Sequence, residues 1–190
     1  MTIKSVFAGF GGQGVLMMGY MLALTAMRQG KNVTYLPSYG AEVRGGTANC
    51  TVVVSDDEIA SPVASSPDIA VVMNNPSLLK YANLVRPGGI MLVNSTLVGS
   101  VVNRQDLNVV KVPATDLAHE LGEDRSANVV MMGAFAQATG VLSLEAFSEA
   151  LAETNLGKKP KVLELNRHAL QVGADSARQA LEAARSAASK

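Results

Sequence analysis

Residues 9–19 read GFGGQGVLMMG, and the fold turns on how this stretch is read. The short run Ile3–Gly9 leads into it, and a helical run with no charge before Arg28 leads out. Between a strand and a helix, the spacing Gly9-x-Gly11-x-x-Gly14 is that of a phosphate loop in nucleotide-binding α/β proteins. Glycines let the backbone turn sharply and approach an anion, while the helix N-terminus supplies free N–H groups and a partial positive charge. Two other readings stay open: tight packing of strand on helix, or an anion other than a dinucleotide. A dinucleotide site adds a carboxylate ~20 residues further on for the ribose hydroxyls. Here no Asp or Glu occurs between Gly14 and Glu42, and neither Arg28 nor Arg44 is placed for a 2′-phosphate. That pattern speaks against NAD.

Outward from the loop, strand and helix patterns alternate. Gly14–Gln29 is apolar nearly all round, so more than one neighbour must cover it. Val33–Leu36 is a second strand, Pro37–Gly46 is turn-rich, and Thr47–Ser55 alternates with Thr and Val as a strand does. Ile59 and Pro62–Ala64 would continue in extended form as its hairpin partner. Ile69–Met73, Ile90–Asn94 and Val109–Val112 read as strands. Ser77–Leu84, Ala114–Leu121, Asn128–Thr139, Leu144–Thr154 and a long C-terminal stretch read as helices. The expected fold class is α/β, a Rossmann-like three-layer arrangement. Its sheet is mainly parallel, with an antiparallel insertion near residues 47–64. One domain over 1–190 is expected, with residues 160–190 as its C-terminal helix.

Composition narrows the function. Of 190 residues, 17% are charged and 48% hydrophobic. The charged share is below the usual ~25%, which suits a chain that buries surface against partners. Lys plus Arg and Asp plus Glu balance at 16 each, and aromatics are 4%. No broad attraction to nucleic acid or anionic lipid follows. The most apolar window, Val15–Met27, falls short of the ~20 residues that span a bilayer. A cytoplasmic location is expected. One cysteine, Cys50, and two separated histidines, His119 and His168, hold neither a cluster nor a zinc ion by themselves. No metal site is expected, Cys50 reads as a small core residue, and His119 reads as a surface residue.

A second stretch, PSYGAEVRGGTANC at 37–50, brackets Glu42 and Arg44 with Gly40, Gly45 and Gly46. Such a segment can project into a cleft, where Arg44 can fork onto a carboxylate or phosphate and Glu42 can steer it. The plainer reading is a glycine-rich connection with two solvated charges. Asn74 and Asn75 follow a strand, at the edge where open α/β sheets place ligands. Capping of the helix after Pro76 is the preferred reading.

Taken together, Gly9-Phe10-Gly11-Gly12-Gln13-Gly14 and Tyr39-Gly40-Ala41-Glu42-Val43-Arg44-Gly45-Gly46 closely resemble the gamma subunit of 2-oxoacid:ferredoxin oxidoreductases. Asn74-Asn75-Pro76 and Ala127-Asn128-Val129-Val130-Met131-Met132-Gly133-Ala134 are similar to the same family. The resemblance covers about residues 1–155. Ala41 departs from the Pro that many members carry.

The resemblance implies a subunit that works within an assembly of alpha, beta and, in some cases, delta subunits, passing electrons to ferredoxin. It implies CoA-dependent oxidative decarboxylation of a 2-oxoacid, with 2-oxoglutarate favoured. Thiamine diphosphate, magnesium and iron–sulfur clusters would sit in partner subunits, with CoA as co-substrate. Glu42 and Arg44 become accessory catalytic candidates. Gly11, Gly12, Gln13, Gly14, Gly45, Gly46 and Asn74 become candidates for holding an anion, CoA or a partner loop. Left alone, the chain is free to homodimerise through surfaces that otherwise meet partners. A free-standing NAD- or flavin-dependent oxidoreductase and a pure scaffold subunit are the alternatives.

Overall fold

The alternation seen in the sequence becomes a sheet with helices on both faces. The computed structural model describes residues 1–38, 47–154 and 157–188. Among them the elements run β1 (Thr2–Phe10), α1 (Val15–Arg28), β2 (Asn32–Ser38), β3 (Thr47–Ser55), β4 (Ile69–Val72) and α2 (Asn75–Tyr81). They continue with β5 (Ile90–Asn94), β6 (Asn108–Val112), α3 (Ala114–Glu120), α4 (Ala127–Thr139), α5 (Leu144–Leu151) and α6 (Pro160–Ala188).

The sheet order is β2-β3-β1-β4-β5-β6. β1, β4, β5 and β6 are parallel, while β3 runs antiparallel to both its neighbours, β1 and β2. The α/β class with a mainly parallel sheet is as expected. The antiparallel insertion, however, is a single strand that ends at Ser55, and Ile59 and Pro62–Ala64 form no strand. Proline lacks an N–H for the ladder, and the stretch SPVASSP offers no alternating apolar run. β3 pairs with β2 instead, from Asn32 opposite Ser55 to Ser38 opposite Asn49.

Period-two alternation divides the strand side chains between two cores. Phe7, Val71 and Leu92 face the larger one with α1, α3, α4, α5 and α6. Val6, Ala8, Ala70, Val72, Met91 and Val93 face the smaller one, closed by Leu78 and Tyr81 of α2 and by Val98 and Leu107. Every residue of β4 is buried, as expected of a parallel strand covered on both faces. An aromatic chain runs through the larger core. Phe7 and Phe135 have ring centroids 5.6 Å apart, and Phe135 meets Phe147 edge-on at 6.2 Å, within the range favoured by ring quadrupoles.

Helix α1 lies on the β1–β3–β2 half of the sheet. Gly19 permits that approach, because a Cβ there would collide with Cys50 Sγ. Gly30, at φ 73°, ends the helix in the left-handed conformation that glycine adopts without strain. α1 still leaves Tyr20 44% and Met27 62% exposed. No helix among the described residues is long and apolar enough to cross a membrane.

Candidate functional site

The glycine loop closes β1 and opens α1 at the C-terminal edge of the parallel strands. Gly12 has φ 95° and Gly14 φ 74°, conformations that cost L-residues with a Cβ about 1–2 kcal/mol each. Gly14 is the N-cap of α1, makes no side-chain cap, and is followed by no acidic residue in the first turn. The first N–H groups of the helix therefore lack both an intrahelical partner and a resident negative charge.

Gln13 ties this loop to the end of β4. Its Oε1 accepts from the Phe10 N–H (2.6 Å) and from Asn74 Nδ2 (3.4 Å), and its Nε2 donates to the Met73 carbonyl (3.3 Å). Asn74, 3% exposed, is the N-cap of α2, its Oδ1 accepting from the Ser77 N–H at 2.8 Å. The side chains of Gln13 and Asn74 are thus spent on holding two loops together. Within the loop the Gln13 N–H also bonds the Phe10 carbonyl at 3.2 Å. Asn75 Oδ1 receives the Ser100 N–H at 3.1 Å, pinning the segment after β5.

Two hollows flank the loop. One, of about 360 Å³, is mostly apolar and lies on the β3 side among Phe10, Gly11, Leu16 and Ala48. The other, of about 220 Å³, has a mixed lining, more polar than the first, and lies on the β4 side. There Gly12 and Gln13 meet Met73, Leu97, Thr115 and the Asp124-Arg125 turn. This second hollow sits where the chain order of the sheet reverses, between β1 and β4, the place where open α/β sheets seat ligands.

The strand order adds a reason to the missing ribose carboxylate. In a dinucleotide fold the acidic residue ends the strand next to β1. Here that neighbour is β3, antiparallel, and it starts rather than ends beside the loop, with Phe10 opposite Thr47 and Gly9 opposite Ala48. β2 lies one strand further out, and its last residue is Ser38.

Of the residues singled out from the sequence, Gly11, Gly12, Gln13, Gly14 and Asn74 come together at this edge. Glu42, Arg44, Gly45 and Gly46 lie outside the described residues. The strand ends flanking them, Ser38 of β2 and Thr47 of β3, stand on the same sheet edge as Phe10. Cys50 is fully buried, with Sγ 3.4 Å from the Val15 carbonyl. His119 is exposed, its Nδ1 2.8 Å from Asp124 Oδ1. Among the described residues no group of three or more His, Cys, Asp or Glu comes together to hold a metal ion.

Sequence reasoning gave no role to Asn94, Thr115, Arg125 and Asn128; Thr115 and Arg125 line the second hollow, while Asn94 and Asn128 are buried. Buried Asn94 binds Thr115 through Nδ2 to Oγ1 (2.9 Å) and joins β5 to α3. Asn128 is 6% exposed and presses on Gly14, where a Cβ would collide with its Nδ2. The available signal was a lone polar side chain in the apolar helical run ANVVMMGAF, because a buried amide needs a polar reason to be there.

Comparison with known proteins bears on the family and the fold. The chain is 41% identical over 182 residues to the ketoisovalerate oxidoreductase subunit VorA of Methanothermobacter marburgensis; the match takes in 95% of the chain and 37% of that relative. It therefore spans little more than a third of that relative's length. It is 38% identical to the 2-oxoglutarate synthase subunit KorC of the same organism, covering 87% of the chain and 91% of the relative. The crystal structure of a keto/oxoacid ferredoxin oxidoreductase gamma subunit from Geobacter sulfurreducens superposes with a TM-score of 0.80. Its identity is 30%, over 94% of this chain and 99% of that one. Residues 4–176 match the family model described as pyruvate ferredoxin/flavodoxin oxidoreductase, and the chain belongs to that family.

Proposed function

We propose that this chain is the gamma-type subunit of a multi-subunit 2-oxoacid:ferredoxin oxidoreductase and helps form the site for CoA-dependent oxidative decarboxylation, with 2-oxoglutarate the favoured substrate. One observation carries the reading. The glycine loop and the two strand ends flanking residues 39–46, Ser38 and Thr47, stand on one edge of the sheet. KorC, a relative of almost the same extent, supports 2-oxoglutarate. VorA makes a branched-chain 2-oxoacid the competing substrate.

Thiamine diphosphate with magnesium and iron–sulfur clusters, held by alpha, beta and, where present, delta subunits, supply decarboxylation and electron transfer to ferredoxin. This chain contributes binding and orientation. Arg44 forks onto an anionic group of CoA or of the 2-oxoacid, and Glu42 orients it. Gly11, Gly12, Gly14, Gly45 and Gly46 let main-chain amides approach that ligand closely. Tyr20 and Met27, exposed on an α1 without charge before Arg28, support a subunit that buries this helix in the assembly.

Anoxic purification of the tagged chain from its host, followed by 2-oxoacid- and CoA-dependent dye reduction, tests the reading. Co-purification of cluster-bearing subunits, with 2-oxoglutarate the best substrate, is the expected result. Arg44→Ala should leave assembly intact and cut kcat/KM by roughly tenfold or more, the scale of a lost charge-assisted hydrogen bond. An unchanged rate in a correctly assembled complex would remove Arg44 from the site. A chain purified with a bound nicotinamide or flavin and no partner would overturn the whole reading.

A further inference from the structure

We propose that α1 forms the two-fold interface of a homodimer, in which the outer faces of two copies of this helix pack antiparallel. The proposal goes beyond the reading above, which asks only that α1 be covered, and it names a second copy of this chain as the cover.

The open face of α1 is apolar along its whole length. The helix carries no charge from Val15 to Met27. It packs on β1, β2 and β3 of the sheet and against α4 and α5. The positions of this span left incompletely buried are Leu16, Met17, Tyr20, Leu24 and Met27, with Tyr20 44% and Met27 62% exposed. At about 100° per residue, Met17, Tyr20, Leu24 and Met27 share one face of the helix. Leu16 also lines the apolar hollow of about 360 Å³ at the start of the helix. Helix α4, which has no charged residue, is buried at every position from Asn128 to Ala136. A helix of that composition needs cover on all sides, and α1 lacks it on one.

Symmetry and charge identify the cover. A two-fold contact sets the same patch on both copies, so the patch must be its own complement. The steps from Met17 to Tyr20, Leu24 and Met27 are 3, 4 and 3 residues, a spacing that reads the same from either end. Two antiparallel copies therefore set Met17 of one against Met27 of the other, and Tyr20 against Leu24, twice about one axis. No like charges meet, because the stripe has none, and Arg28 at its end is paired with Glu153 of its own chain. A partner of unrelated sequence would require no such palindrome.

The test is the mass of the full-length chain by light scattering over a concentration series, read with two kinds of variant. A dimer is expected. Tyr20→Lys sets two cations beside the axis and should weaken association roughly thirtyfold or more, with the circular dichroism of the folded chain unchanged. Met17→Cys combined with Met27→Cys should join two chains on mild oxidation, whereas neither single substitution should. Within one chain the two positions lie about 15 Å apart along the helix, beyond the reach of a disulfide, and Cys50 is fully buried. A monomer at every concentration overturns the proposal, as does a dimer indifferent to Tyr20→Lys. Failure of the double cysteine variant to cross-link a dimer overturns the antiparallel register. Loss of larger subunits from the Tyr20→Lys chain purified from its host, with its own mass unchanged, gives α1 to a different partner and overturns the homodimer. None of these results bears on substrate turnover, so the functional reading stands or falls separately.

Discussion

Gly133 of α4 and Gly173 of α6 form a reciprocal close crossing. A Cβ on Gly133 would strike the Leu170 carbonyl oxygen, and one on Gly173 would strike that of Val130. Each glycine thus faces the carbonyl three residues before the other, and the two backbones touch where side chains would hold them apart. Behind this crossing lie Met131, Met132, Phe135 and Ala169, all fully buried. Alanine is the better helix former by about 1 kcal/mol, so substitution at a roomy site would stabilise. Here overpacking should win. Gly133→Ala and Gly173→Ala are each expected to lower stability by roughly 1–3 kcal/mol. The double substitution should fall short of their sum, since one separation of the helices relieves both clashes. Urea unfolding of the three variants measures it, and a stabilised single variant would contradict the crossing.

Gln13 and Asn74 give a second expectation, because their polar atoms are committed to holding the β1–α1 and β4–α2 loops together. Asn74→Ala removes a helix cap and should cost about 0.5–2 kcal/mol. Asn74→Asp keeps the capping oxygen, loses the donor to Gln13, and sets a carboxylate near Gln13 Oε1. It should retain the cap's share of stability while shifting the amide resonances of Phe10 and Gln13. Equal losses in the two variants would show that the cap carries none of the effect.

Much of the fold was legible because its signals are local. β3 and β5 have the bounds read from alternation, and α1, read as Gly14–Gln29, runs Val15–Arg28 with those two residues as its caps. The insertion of β3 between β1 and β2 was not legible, since antiparallel pairing to two strands is a long-range fact with no local mark in Thr47–Ser55. The extended run placed at 59–64 failed for the converse reason: isolated apolar residues among Pro and Ser suggest a strand without supplying a ladder. The glycine spacing placed a turn between β1 and α1, where the structure has it. The cap that Asn74 places on Ser77 was legible from its position before Pro76, but the tie between Gln13 and Asn74 and the place of Asn128 against Gly14 depend on partners some 60 or more positions away, which no spacing rule reaches.

Gly14 tests the loop itself. An alanine there would have to hold φ near 74° and would also meet the Asn128 carboxamide. The conformational cost alone is about 1–2 kcal/mol, and displacement of Asn128 adds to it. Gly12 has a similar φ of 95° but open space around its missing Cβ. Gly12→Ala should therefore cost only the conformational part. Thermal unfolding should rank Gly14→Ala below Gly12→Ala. The reverse order would mean that the packing of α4 against the loop is not what fixes Gly14.

Cys50 supplies the pH dependence. Burial pushes its thiol up to about 12, from an ordinary value near 9, since a thiolate enclosed by Val15, Gly19 and the sheet has no water to solvate it. The neutral thiol is the folded form, and the unfolded chain releases the proton at lower pH. The stability linked to this group is therefore fully present below about pH 9 and is lost as pH rises from there towards 12. Two measurements follow from one cause. At pH 8 a thiol reagent should label the native chain only as fast as it opens, and labelling should become rapid in denaturant. Stability measured from pH 8 to 11 should decline in the wild type more steeply than in Cys50→Ala, whose lower absolute stability reflects the lost side chain alone. Parallel profiles for the two proteins would mean that the thiol is not the group responsible.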